Sequence, residues 1–132
     1  MTEAVLNLIG IFLDDGPFEP RLDLAVRGWA HRSEEVAIRV NSADEVRLAA
    51  IRAMFRRFGY PEGAADVRAR TVYLVQIGYI SMQVSESLET RMARIPDYVK
   101  TFTGRAPTAR ELDRFHAAHG FAAPEAGGRA AL

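Results

Sequence analysis

Three side chains able to ligate a metal recur at three-residue intervals near the C-terminus: Asp113, His116 and His119. On a helix that spacing sets them on one face, close enough to share an ion. No fourth ligand accompanies them, and a solvated helical face beside an apolar Phe115 accounts for the same residues, so no metal site is expected. His31 is isolated and reads as a charge partner for a helix C-terminus. The chain has no Gly-rich phosphate loop, no nucleophile elbow and no HExxH. It has no cysteine, which removes disulfides, zinc–thiolate sites and thiol nucleophiles. Neither an enzyme nor a cofactor is expected.

The chemistry that remains is recognition. Trp29, Met54, Phe55, Phe58, Tyr73, Gln76 and Tyr79 could line a mostly apolar cavity with a few polar handles, the kind of site small molecules favour. Core packing is the commoner role for any one of these side chains. Gln76 and Tyr79 stand out because they are polar groups in a helical run, Thr71 to Val84, that carries no charge, and each needs a partner there. On a helical wheel Tyr73, Ile77, Ile80 and Val84 form one stripe, and Val72, Gln76, Tyr79 and Gln83 a more polar one. The remaining stripe, Thr71, Leu74, Val75, Gly78 and Met82, includes a small residue, as does nearby Ser81. A helix that is uncharged all round must be covered on most sides. The Thr71–Met82 stripe with Ser81 is therefore expected to meet a second subunit.

The elements that must position these residues are helices. Glu3 to Leu13 places Val5, Leu8, Ile9 and Phe12 on one stripe, and Asp14-Asp15-Gly16-Pro17 stops it. Pro20 to Arg32 follows, with Leu22, Val26 and Trp29 on one side. Ser33 is an N-cap with Glu34 and Glu35 behind it. Ser42-Ala43-Asp44-Glu45 could open a fresh helix, but one continuous helix from Ser33 is the favoured reading. In its later half Leu48, Ile51, Met54, Phe55 and Phe58 face inward, and Arg47, Arg52, Arg56 and Arg57 make a solvated strip. Gly59 caps it and Pro61 lies just beyond. The next helix is expected over 61–88, and a further one from Glu89, interrupted by Pro96 and ended by Gly104. Thr108-Ala109-Arg110-Glu111 is a capping box, followed by the stripe Leu112, Phe115 and Ala118 and by Gly120. The tail 122–132, made of Ala, Gly and Pro, is expected to be disordered. The fold class is all-α, an antiparallel bundle of about six helices.

Length and charge bound the function. One domain fits 132 residues. Seventeen basic residues balance 17 acidic ones, which weighs against nucleic-acid binding and against a membrane surface as partner. Met1-Thr2-Glu3 lacks the basic start of an export signal, and Ala4 to Leu13 is too short to span a bilayer. A cytoplasmic location is expected.

Four phrases, in order, resemble the regulatory half of TetR-family transcriptional regulators. They are Arg21-Leu22-Asp23-Leu24-Ala25-Val26-Arg27-Gly28-Trp29-Ala30-His31-Arg32, then Ile51 through Tyr60, then Ala69 through Tyr79, then Arg94 through Gly104. The similarity runs over residues 4 to 121. It implies a TetR C-terminal-domain-like helical bundle over 1–121. It also implies a pocket for a small apolar or amphipathic effector, and a homodimer in which the last two long helices pair with those of a twin. The helix-turn-helix and linker helix of such regulators are not in this sequence, so direct operator binding is not expected of it. A different outcome of the same resemblance is an interaction protein that forms mixed dimers with a full-length regulator. A binding module without regulatory output is a third.

Overall fold

A computed structural model of the protein describes residues 1–13 and 19–123. The expected stop at Asp14-Asp15-Gly16-Pro17 and most of the tail lie outside the described residues. Six helices follow in order: α1 (Thr2–Leu13), α2 (Pro20–Ala30), α3 (Glu34–Arg57), α4 (Glu62–Ser81), α5 (Leu88–Thr103) and α6 (Ala109–Ala118). No strand occurs among the described residues. The protein is an all-α bundle.

Local signals set most boundaries. The Ser33 hydroxyl accepts from the Val36 N–H at 3.4 Å, and α3 then runs unbroken past Ser42 for 24 residues, about 36 Å at 1.5 Å per residue. Gly59 turns left-handed (φ 90°), letting the Tyr60 N–H reach the Phe55 carbonyl at 3.2 Å. Gly120 (φ 61°) does the same for Phe121 and His116. This six-to-one bond is the Schellman closure, which favours a residue without a Cβ. At α6, Thr108 accepts from the Glu111 N–H and the Glu111 carboxylate accepts from the Thr108 N–H, satisfying two orphan donors reciprocally.

Three expectations are corrected. The helix expected to reach residue 88 ends at Ser81. Its stop is again a Schellman closure, Val84 N–H to Tyr79 carbonyl at 3.0 Å, but with Gln83 in the left-handed position (φ 50°) where glycine is usual. Pro96 does not interrupt α5. The proline removes one helical hydrogen bond at a cost of roughly 3 kcal/mol. Met92, Ile95, Val99 and Phe102 on that helix are all buried, and holding them on one stripe favours continuity. Phe58 does not face inward: it follows the last turn of α3 and is 51% exposed.

The core gathers Val5, Leu6 and Ile9 of α1, Leu48, Ile51 and Phe55 of α3, Ala65, Ala69, Val72 and Tyr73 of α4, the α5 stripe and Phe115 of α6. α1 packs on both α5 and α6. Thr2 donates to the Glu111 carboxylate at 2.6 Å, and Arg114 reaches Glu3 at 2.8 Å. α2 buries no residue, and neither does α3 before Leu48. These two segments form a hairpin that stands beside α4.

Candidate functional site

The α2–α3 hairpin meets α4 through polar groups. Arg27 binds Asp23 through Nε at 2.8 Å and Asp44 through both terminal nitrogens, at 3.0 and 2.7 Å. Tyr73 of α4 donates to the same Asp44 at 2.6 Å, and Arg47 donates to the Tyr73 oxygen at 3.2 Å. The two-pronged guanidinium–carboxylate contact is the strong form of an ion pair. Partial burial alone would raise the Asp44 carboxyl, but the Arg27 and Tyr73 hydrogen bonds outweigh it and hold the group below its ordinary value. The Asp44 hydrogen bond in turn holds the Arg27 guanidinium above its own ordinary value. The Tyr73 hydroxyl is raised by burial first and by Asp44 second.

A cleft of about 380 Å³ opens next to this clip, where the end of α1, the start of α2, the second half of α4 and the start of α5 come together. Phe12, Leu24, Ile80 and Val84 give it apolar walls; Gln76, Gln83, Tyr79, Arg21 and Arg91 give it polar groups. Gln76 is only 4% exposed, and its Oε1 has no hydrogen-bond partner among the described residues. A buried amide oxygen left without a donor costs about 1–3 kcal/mol. Tyr79 and Tyr98 share a hydrogen bond at 2.8 Å. Burial and that bond push the Tyr79 hydroxyl up to about 12. The Arg91 guanidinium lies over the Tyr79 ring, 4.4 Å from its centroid.

The seven side chains expected to line one cavity do not meet in one. Gln76 and Tyr79 line the cleft. Tyr73 is buried and its hydroxyl belongs to the polar clip. Phe55 is core, with its ring edge-on to Tyr60 at 5.3 Å, and Met54 packs against the core from outside. Phe58 is exposed. Trp29, at 62% exposure, stands on a separate open groove between α2 and α3 with Leu22, Val26, Val36 and Val40. Both are aromatics at helical spacing that stay bare: Phe58 falls just past the last turn of α3, and Trp29 points to a side of α2 that no described helix covers.

The expected subunit face is more coherent. Leu74 is 60% and Met82 78% exposed. Ser81 is exposed too, and Thr71, Val75 and Gly78 are half-buried. Val67 extends the bare stripe one turn earlier at 62% exposure. A methyl added at Gly78 would meet nothing within 4 Å. A groove beside Thr71 and Val75 continues onto α5 at Thr90, Ala93, Asp97 and Thr101.

Compared with known proteins, the chain matches no family model, no curated protein and no solved structure.

The histidines of α6 turn to packing. The His119 ring sits 4.5 Å from that of Phe115 and against Gly10 of α1; the His116 ring is 5.1 Å from that of Phe121. Among the described residues no three metal-ligating side chains gather, and no helix is long and apolar enough to cross a membrane. Sequence reasoning missed Arg21, Leu24 and Arg91 as cleft residues. A signal for Arg91 existed in its place one turn before Ile95, on the buried side of an amphipathic helix.

Proposed function

We propose that this chain is a small-molecule-sensing and dimerising regulatory domain of the TetR type. The observation that carries the reading is Gln76: a buried amide whose oxygen has no donor among the described residues, set in the wall of a cleft with both apolar and polar lining. Native interiors leave few such groups, and a bound molecule that supplies a donor removes the penalty. The cleft draws its walls from four helices, so a ligand that prefers one packing of α1, α2, α4 and α5 shifts the population toward it. The bare stripe from Val67 to Met82 supports pairing with a second copy. It presents no charge of its own, and its small residues let a twin helix approach closely. An effector acting on α4 from the cleft side then alters the partner contact on the other side, with the four phrases of family resemblance pointing to regulation as the output.

Two measurements test this. Sedimentation equilibrium at micromolar concentration is expected to give a dimer, and Leu74→Arg a monomer with unchanged helical circular dichroism; a wild-type monomer overturns the pairing. The neutral fluorophore N-phenyl-1-naphthylamine is expected to bind saturably at one site per chain. Leu24→Trp, which fills the cleft from α2, is expected to abolish that binding. Binding that survives Leu24→Trp places the site elsewhere and overturns the cleft assignment.

A further inference from the structure

We infer that the molecule this cleft takes is an apolar body carrying one anionic group, seated on the Arg91 guanidinium. The inference rests on the reading of the cleft as an effector site and names the class of effector.

Two observations carry it. The first is Arg91 itself. Its side chain is half-buried, it stacks on Tyr79, and among the described residues it makes no hydrogen bond or ion pair. Glu86, the acid that precedes α5, pairs with Arg94 at 2.5 Å and acts on Arg91 through space alone, without a hydrogen bond to it among the described residues. Burial pulls Arg91 below its ordinary value, yet a guanidinium keeps its charge in any protein setting and offers five N–H donors in a fixed fork. A half-buried guanidinium whose donors meet no acceptor among the described residues is matched by a two-oxygen anion, carboxylate or phosphate.

The second observation is the sign of the lining. Arg21 and Arg91 both face the cleft, and no Asp or Glu does among the described residues. Arg27 and Arg52, also partly buried, pair with Asp44 and Asp66, whereas Arg91 forms no such pair among the described residues. Gln83 adds a neutral amide to the lining, and Phe12, Leu24, Ile80 and Val84 take the apolar body.

The test is displacement of N-phenyl-1-naphthylamine from the full chain by octanoate, octyl phosphate and octan-1-ol, which share one apolar tail. The two anions are expected to compete at concentrations about tenfold or more below octan-1-ol. The stronger of the two identifies the head group as a carboxylate or a phosphate. In Arg91→Met the preference is expected to fall to within about twofold while octan-1-ol competes unchanged, and Arg91→Lys is expected to keep part of it. An alcohol that competes as well as the anions overturns the inference and leaves the effector site standing. A preference that persists in Arg91→Met overturns the assignment to Arg91. Absence of any probe binding removes the effector site, and this inference with it.

Discussion

One helix, α3, passes through two different environments. From Leu48 onward it packs into the common core beside α4, and Leu48, Ile51 and Phe55 are buried. From Glu34 to Arg47 it pairs with α2, and nothing in that pair is buried. The half from Leu48 onward is held by apolar area removed from water, an undirected force that tolerates changes of partner. The half before it is held by Asp23, Arg27, Asp44, Arg47 and Tyr73, whose contacts depend on angle and distance. A segment with few buried apolar contacts opens locally at lower free energy than the core. The hairpin is therefore the part of the molecule that opens most readily, and Leu24 and Arg21 of α2 place one wall of the cleft on it.

The largest effect that would sharpen this contrast is in the core half. Phe55, fully buried and edge-on to Tyr60, is expected to lose about 3–5 kcal/mol of unfolding free energy on truncation to Ala. Denaturant titration measures it. A loss below about 1 kcal/mol would mean that the two halves do not differ in the way described.

Next comes the clip. Asp44→Ala leaves Arg27 with one of its two carboxylates and removes the acceptor of the Tyr73 hydroxyl. Hydrogen bonds to charged groups are worth about 1.5–3 kcal/mol each, and a loss of that size is expected. Amide hydrogen exchange is expected to quicken in α2 and in residues 34–47 while the protection of α4 and α5 stays. Uniform acceleration over all six helices would show the hairpin to be one unit with the core. The same carboxylate sets a pH dependence. Its folded value lies below the ordinary 3.8, so its contribution is fully present above about pH 4. That contribution is lost as pH falls from the ordinary value through the depressed one. Asp44→Asn is expected to flatten this part of the acid limb of a thermal-melt series.

Most helix ends were readable from sequence, and most contacts between helices were not. Ser33, Thr108, Gly59 and Gly104 announced helix ends because each satisfies or relieves backbone groups locally, within four residues. The end of α4 was hidden because Gln83 takes the left-handed turn without being glycine. Pro96 misled because the rule against internal proline weighs one lost bond, whereas the helix answers to its whole buried stripe. In the site, Gln76 and Tyr79 were legible as polar groups in an uncharged run. Arg91 was legible only as a position one turn before Ile95, since tertiary packing alone brings Tyr79 beneath it. The Asp23–Arg27 pair joins residues four apart on one helix, and its continuation to Asp44 and Tyr73 spans three helices.

A smaller effect belongs to the seam between α1 and α6. Thr108→Ala removes the N-cap oxygen that accepts from the Glu111 N–H, at a typical cost of about 1 kcal/mol. The Glu111 carboxylate still accepts from Thr2, so α6 is expected to stay docked, and its first-turn amides are expected to exchange faster. Undocking of α6, seen as loss of protection across Phe115, would show that the cap carries more of the seam than the α1 packing does.

The smallest expected effect tests the comparison most directly. Trp29 is the only tryptophan in the chain and lies on the bare side of α2, 62% exposed. Its fluorescence reports the hairpin alone. The intact protein is expected to emit with the red-shifted spectrum of an indole in water, and soluble quenchers are expected to reach it readily. Trp29→Ser is expected to change unfolding free energy by no more than about 0.5 kcal/mol, as for other surface positions. A blue-shifted, quencher-protected emission in dilute solution would mean that α2 and the first half of α3 close over their own groove. The hairpin would then have an apolar core of its own, Leu22, Val26, Trp29, Val36 and Val40, and the distinction between a packed half and a clipped half would fail at the helix on which it is drawn.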